Sequence, residues 1–166
     1  AADPPYIVIH PGAAWPNKRY EPQRWGQVAS SLYAATGMRV LISAGPGEEE
    51  LGAQVVEASA GAAEMVDDRS LRDLVALLNG AALVLAGDTG PLHLAHALGR
   101  SVVAVMGPTD PATHGPYGAP ERAIWKQLPC SFCHRRFDEV KPCLIDLPPG
   151  EIVERAEKML EAPAGI

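Results

Sequence analysis

The segment Gly-Asp-Thr-Gly at 87–90 combines residue types that could hold a phosphate and a sugar. It follows an apolar run at 81–86, which is typical of a buried strand, and it precedes Pro91, which favours the first turn of a helix. Backbone N–H groups at a helix start, together with the positive end of the helix dipole, are suited to bind an anion. Asp88 would repel a phosphate, so we expect it to accept hydrogen bonds from sugar hydroxyls. An ordinary strand-to-helix turn capped by Asp88 is the alternative.

Basic side chains elsewhere in the chain could complete such a site. His93 falls in the first turn of the predicted helix, where it can hydrogen-bond to a diphosphate or, when charged, pair with it. Lys18 lies in a Gly- and Pro-broken loop at 11–20, after an apolar strand at 6–10, and is the best cation for a diphosphate. A solvated loop lysine is the alternative. Arg19 would point elsewhere in a regular backbone, so we interpret it as structural.

An acidic residue after the second predicted strand could bind a ribose. Glu48 follows Gly-Pro-Gly at 45–47, and a carboxylate at that place can accept hydrogen bonds from both ribose hydroxyls. The alternative is a carboxylate that stabilises the start of a helix, as we expect for Glu49 and Glu50. The choice among the three consecutive glutamates stays open.

Strands and helices alternate along the chain, and this order predicts which elements position these residues. The strands are mostly continuous apolar runs, which predicts an α/β, Rossmann-like, doubly wound parallel sheet with helices on both faces. Ligands of such sheets bind beyond the carboxyl ends of the strands, where the loops named above would lie. The predicted strands are 6–10, 39–44, 63–66, 81–86, 101–106 and 123–126; the predicted helices are 22–36, 48–60, 91–98, 149–160 and one that Ser70 caps.

Length and charge limit the classes of function. The 166 residues predict one domain, at 6–162, with 1–5 as the remnant of a linker. The net charge is −6, and no stretch of basic residues is present, which argues against a nucleic-acid partner. The longest apolar run is too short to span a bilayer, and no charged-then-apolar leader opens the chain. We therefore expect a cytoplasmic location.

The three cysteines, Cys130, Cys133 and Cys143, do not form a paired disulfide framework, which fits a reducing compartment. The run Cys-Ser-Phe-Cys-His matches the pattern of haem attachment, and with Cys143 it could also form a tetrahedral zinc site. We favour an accessory segment over either of these, and we expect no cofactor and no metal site.

Three common catalytic motifs are absent from the sequence. No G-x-G-x-x-G follows the first predicted strand, which argues against a dehydrogenase. The chain contains neither the G-x-x-x-x-G-K-[ST] loop of P-loop enzymes nor the G-x-S-x-G nucleophile elbow.

The motifs HPGAAWPNKRY at 10–20, GDTGPLHLAHALG at 87–99 and GPTDP at 107–111, followed by GPYG at 115–118, together resemble glycosyltransferase family 9, the heptosyltransferase family. More narrowly, they are similar to the C-terminal, donor-binding half of an enzyme with the GT-B fold. The motifs occur in the order found in the family, and the resemblance extends from about Tyr6 to Leu160.

The resemblance implies roles for individual residues. It places Ala13 and Ala14 at positions whose backbone N–H groups approach phosphate, and it makes Glu48 the ribose-binding acid and Asp88 the sugar-binding one. The loop that lines the nucleotide base would contain Asp68 and Arg69, although a solvated turn fits them as well. The residues expected to bind the donor phosphates are Lys18, Ala13, Ala14, Thr89, Gly90 and His93.

The resemblance also implies the reaction. It would be an inverting, metal-independent transfer from a nucleotide sugar, implied to be ADP-heptose, in assembly of the lipopolysaccharide core. The acceptor site and general base would lie in an N-terminal domain missing from this chain, so no catalytic residue is expected here. Contact with the inner membrane would be peripheral and through the acceptor. The alternatives are a stand-alone nucleotide-binding module and a thiol-metal module.

Overall fold

A computed structural model of the chain describes residues 4–67 and 70–162. Most of the predicted linker remnant at 1–5 therefore lies outside the described residues. Within these ranges the strands are β1 (Tyr6–His10), β2 (Arg39–Ile42), β3 (Ala63–Met65), β4 (Leu83–Ala86), β5 (Val102–Val105) and β6 (Ala123–Ile124). The helices are α1 (Pro22–Thr36), α2 (Glu49–Ala58), α3 (Leu71–Gly80), α4 (Gly90–Ala97), α5 (Pro111–His114), α6 (Pro142–Ile145) and α7 (Pro149–Glu161).

The described strands form one parallel sheet in the order β3-β2-β1-β4-β5-β6. The chain order reverses direction between β1 and β4, which places the loops after these two strands side by side. In an open α/β sheet a ligand crevice forms where the strand order reverses. The predicted doubly wound parallel sheet is thus confirmed.

Each face of the sheet has its own apolar core, because successive side chains of a strand point to opposite faces. Ile7 and Ile9 of β1 pack with Trp25 of α1 and Ile152 of α7 on one face. On the other face, Val8 packs with side chains of α3 and α4, including Leu92. Burial on both faces explains why the central strands β4 and β5 are apolar throughout, whereas β3, at the edge of the sheet, has the exposed Glu64.

Local sequence signals such as capping residues predicted where helices begin more accurately than the apolar runs predicted where strands begin and end. Ser70 and Asp73 form a capping box at the start of α3, as the sequence indicates: Ser70 Oγ accepts from Asp73 N at 3.1 Å, and Asp73 Oδ2 accepts from Ser70 N at 3.2 Å. The predicted strand at 81–86 is shorter in the structure, because Ala81 terminates α3 instead. The short helices α5 and α6 were not predicted. Four residues are too few for helical periodicity to register.

Within the described ranges, no helix is long and apolar enough to cross a membrane.

We predict that Leu85→Ala in β4 lowers the free energy of unfolding by about 2–5 kcal/mol, because Leu85 is fully buried and its truncation leaves a cavity. Leu71→Ala is the matched control. Leu71 is 71% exposed, so its loss should change stability by less than about 0.5 kcal/mol. Urea denaturation followed by circular dichroism measures both values, and equal losses would contradict this account of the core.

Candidate functional site

A cavity of about 480 Å³ opens beyond the carboxyl ends of β1, β2 and β4. Its walls come from the loops that follow these strands and from the first turns of α3 and α4. The predicted site residues among those that line it are Ala13, Ala14, Glu48 and Thr89. The sheet thus brings together residues that are widely separated in the sequence.

An ion pair between Lys18 and Asp88 connects the loop after β1 to the loop after β4. Lys18 Nζ lies 2.6 Å from Asp88 Oδ2, and both side chains are largely buried. Thr109 donates its hydroxyl to the same carboxylate oxygen at 2.9 Å. The Lys18 ammonium also lies 4.2 Å from the centre of the Trp15 ring, in cation–π geometry. The residues predicted to bind phosphate and sugar are therefore in direct contact.

His93 lies beside this pair at the start of α4. Its Nε2 atom is 3.5 Å from Asp88 Oδ1, and its side chain is 43% exposed. The helix cap is Thr89, whose side chain makes no capping hydrogen bond, so the alternative role of Asp88 as the cap is wrong. The first-turn N–H groups of α4, which begins at Gly90, lack partners within the helix by its geometry. Anion-binding groups thus surround the end of β4.

The surroundings of Asp88 hold its pKa below the ordinary value of a carboxyl group. Burial by itself would raise this pKa. The hydrogen bond and the charge of Lys18, together with hydrogen bonds from Thr109 and His93, favour the ionised form and outweigh burial. Asp88 is consequently an anion at neutral pH, although it lies next to a predicted phosphate site.

Glu48 is distinguished from Glu49 and Glu50 by its position. It precedes the first residue of α2, and its carboxylate turns back toward the cavity, whereas Glu49 and Glu50 lie in the first turn of the helix. Glu48 Oε2 accepts from Gly45 N at 3.2 Å. A Cβ atom placed on Gly12 would lie only 1.9 Å from this oxygen, so the carboxylate requires a glycine on the β1 loop.

Sequence reasoning missed several residues around Glu48. His10, the last residue of β1, places Nε2 3.6 Å from Glu48 Oε2 and Nδ1 3.2 Å from Ser43 Oγ. Its position at the carboxyl end of a strand was the available signal. Arg19 does not point away from the site: a 3-10 turn at Pro16–Lys18 precedes it, and its Nε donates to Ala13 O at 2.8 Å. Arg19 therefore supports the backbone of the cavity wall.

Apolar side chains form another wall of the cavity, with Pro46, Leu71, Leu74 and Pro91 among its residues. Such a wall suits a flat, uncharged ring. Asp68 and Arg69, which were expected to line a nucleotide base, lie outside the described residues.

The cysteines do not contribute to this cavity. Cys130, Cys133 and Cys143 are free thiols that line a separate pocket of about 210 Å³. Within residues 4–67 and 70–162, no group of three or more histidine, cysteine or acidic side chains is arranged to hold a metal ion.

Comparison with known proteins identifies the family. The model of glycosyltransferase family 9 (heptosyltransferase) matches residues 1–144. The chain belongs to glycosyltransferase family 9. This membership confirms the resemblance seen in the motifs.

Individual relatives agree with the family match. Lipopolysaccharide heptosyltransferase 1 of Pseudomonas aeruginosa is 28% identical over 180 residues, which cover 98% of this chain and 50% of the relative. The structure of E. coli ADP-heptose LPS heptosyltransferase II matches with a TM-score of 0.81 and 24% identity, over 96% of this chain and 47% of that one, which shows the shared fold. E. coli heptosyltransferase WaaC with ADP matches with a TM-score of 0.75 and 28% identity, over 96% and 45% of the two chains. The chain spans about half the length of these relatives.

We predict that Lys18→Met raises the pKa of Asp88, because burial then acts without the opposing charge. Carboxyl-carbon NMR titration measures this pKa directly. Because the folded-state pKa of Asp88 is lowered in the wild type, the pair stabilises the fold above the ordinary carboxyl pKa, and this contribution is lost as the pH falls through the lowered value. Arg39→Met, which breaks an exposed ion pair with Glu64, is the control and should leave Asp88 unchanged. An unaltered Asp88 titration in Lys18→Met would contradict the assignment.

Proposed function

We propose that this chain is the donor-binding half of an inverting, metal-independent heptosyltransferase of lipopolysaccharide core assembly, with ADP-heptose as the donor. The observation that carries the proposal is that the cavity is lined both by the Glu48 carboxylate and by the start of α4 at Thr89, beside which the Lys18–Asp88 pair lies. Family membership and the ADP named with a relative of 28% identity support it.

The cavity suggests how a nucleotide diphosphate sugar would lie. The base would rest against the apolar wall that includes Leu71 and Leu74. Glu48, on the β2 side, would accept hydrogen bonds from the ribose hydroxyls. The diphosphate would then reach the backbone N–H groups of Thr89 and Gly90 at the start of α4. The transferred sugar would extend toward Asp88.

The same groups would stabilise the leaving group of a glycosyl transfer. Cleavage of the bond between sugar and phosphate develops negative charge on the diphosphate, and fixed donors placed there lower the barrier. Lys18 and the α4 N-terminus supply this positive potential from the chain itself, and His93 offers a ring nitrogen as a further hydrogen-bond donor. We therefore propose that no metal ion is needed. ADP binding that is unchanged by EDTA would agree with this.

Lys18 can serve the phosphate without leaving Asp88, because an ammonium group has three donors. One of these donors is directed to Asp88 Oδ2 in the structure, while the Trp15 ring also lies against the ammonium. A phosphate oxygen would engage a further donor. Lys18 would thereby contact the diphosphate and Asp88 at the same time.

The acceptor site and the general base are proposed to lie on polypeptide outside this chain. The support is that the relatives are about twice as long as the matched region. We place the complete enzyme in the cytoplasm, with peripheral contact to the inner membrane through the acceptor. Transfer activity is accordingly not expected from these 166 residues alone.

Calorimetric titration with ADP and adenosine tests the phosphate site. We expect Lys18→Met and His93→Ala each to weaken ADP binding about tenfold or more, because a hydrogen bond to a charged group contributes about 1.5–3 kcal/mol. Adenosine binding should change little. Lys158→Met, an exposed lysine of α7, is the matched control and should bind ADP normally. Equal losses of affinity for ADP and adenosine would show that Lys18 and His93 do not contact the phosphates.

Asp88→Asn tests the sugar site. The variant should bind ADP at least as well as the wild type, because Lys18 loses its anionic partner and a repulsive carboxylate is removed. It should lose most of the extra affinity that ADP-heptose shows over ADP. Asp146→Asn, at an exposed aspartate after α6, serves as the control. If Asp88→Asn keeps the full gain from the sugar, Asp88 does not bind it.

A further inference from the structure

The chain carries a second group of reactive side chains that the proposed function does not use. Cys130, Cys133 and Cys143 all line the same pocket of about 210 Å³, beside Asn17 and Pro108. The first two thiols are exposed and the third is half-buried. The segment that contains Cys130 and Cys133 lies between β6 and α6 and has no helix or strand of its own. Its position depends on a few specific contacts.

Two of these contacts bring Cys133 and Cys143 to the same place. The Sγ atom of Cys143 lies against Gly107, where an added Cβ atom would be 3.4 Å from the sulfur. His134, the residue after Cys133, donates its backbone N–H to Pro108 O at 2.9 Å. Both cysteines are therefore anchored on adjacent residues of the loop after β5.

The electrostatics of Cys143 agree with this geometry. Burial raises the pKa of its thiol, and the neighbouring thiols raise it further, Cys133 more than Cys130. This order is consistent with the anchoring of Cys133 and Cys143 on the adjacent residues Gly107 and Pro108.

We propose that Cys133 and Cys143 are the two partners of a reversible disulfide, formed by exchange with a low-molecular-weight disulfide such as oxidised glutathione, and that Cys130 is not required for it.

The chemistry balances in two exchange steps. The exposed Cys133, as its thiolate, attacks one sulfur of glutathione disulfide, forms a mixed disulfide and releases one glutathione thiolate. Cys143, once deprotonated, attacks the Cys133 sulfur, forms the intramolecular bond and releases the second glutathione. Two protein thiols are oxidised, one glutathione disulfide is reduced to two glutathione molecules, and the two protons pass to the released thiolates. The half-buried Cys143 is suited to the second step, because that step requires it to reach only the neighbouring Cys133 sulfur and not glutathione in solution.

The disulfide would act on the donor site through Asn17. This buried side chain donates Nδ2 to Arg135 O at 2.8 Å and accepts from Phe137 N at 3.1 Å through Oδ1. Both partners lie between Cys133 and Cys143, so closure of the bond moves the backbone that Asn17 holds. Asn17 immediately precedes Lys18 in the chain.

A second connection leads to Asp88. Gly107 and Pro108, which anchor the two cysteines, immediately precede Thr109, and Thr109 donates to Asp88. Formation of the disulfide would therefore affect the Lys18–Asp88 pair through Asn17, which precedes Lys18, and through Thr109, which donates to Asp88. We expect it to weaken ADP binding about fivefold or more. This consequence rests on the proposed function, whereas the disulfide itself does not.

The test uses the 166-residue chain, reduced and treated with a chelator, and then equilibrated in glutathione buffers of rising oxidised fraction. Alkylation with N-ethylmaleimide followed by mass spectrometry counts free thiols, and peptide mapping identifies the pair. The wild type should fall from three free thiols to one, with Cys133 bonded to Cys143, and dithiothreitol should restore all three. Cys130→Ser is the matched control and should oxidise at the same buffer composition. Cys133→Ser and Cys143→Ser should form mixed disulfides with glutathione and no bond within the protein.

Several outcomes would overturn the proposal. These are a Cys130–Cys133 bond, three alkylatable thiols in the most oxidising buffer, or stoichiometric zinc, added to the reduced chain, that protects all three thiols from alkylation. Circular dichroism checks that each variant folds, and Cys143→Ala replaces Cys143→Ser if the serine is not tolerated.

ADP titration of the reduced and oxidised chain tests whether the disulfide weakens ADP binding, separately from whether the disulfide forms. Weaker binding only in the oxidised wild type and in oxidised Cys130→Ser supports the coupling. Equal affinities in the two redox states overturn the coupling. If the reduced chain does not bind ADP at all, the proposed function fails, and the thiol measurements still decide whether the disulfide forms.

Discussion

The ion pair between Lys18 and Asp88 is the interaction on which the arrangement of the site depends. It joins the loops after β1 and β4, the two strands between which the sheet changes direction. Removing one partner of a largely buried pair would leave the other charge uncompensated, which is costly. The hydroxyl of Thr109 adds the loop after β5 to the same contact. Loops from three strands thus converge on one carboxylate.

This arrangement explains how an acidic chain could bind a diphosphate. The net charge is −6, yet each carboxylate of the site has a partner of its own: Lys18 pairs with Asp88, while Glu48 accepts from the N–H of Gly45 and has the Arg19 guanidinium 3.9 Å away. The charge that a ligand meets is set locally, by donors within a few ångströms, rather than by the total. Carboxylates can then face hydroxyl groups while cations and helix ends face phosphate.

Much of the fold was predictable because its signals are local. Continuous apolar strands alternating with amphipathic segments indicated a parallel sheet with two covered faces, and Ser70 with Asp73 marked a helix start. The position of the cavity followed from the rule that ligands bind at the carboxyl ends of strands. The bounds of strands were less accurate, since an apolar alanine such as Ala81 can end a helix as well as begin a strand.

The sequence by itself determined the fold class and the family, because these depend on residue type, spacing and order along the chain, and it also indicated candidates for ligand contact. Only the tertiary structure showed that Lys18 and Asp88, separated by 70 positions, neutralise each other, and that Arg19 returns to the cavity wall. The order of strands in the sheet decides which loops become neighbours, and no local pattern records that order. Side-chain partners that cross between loops are consequently set by packing in three dimensions.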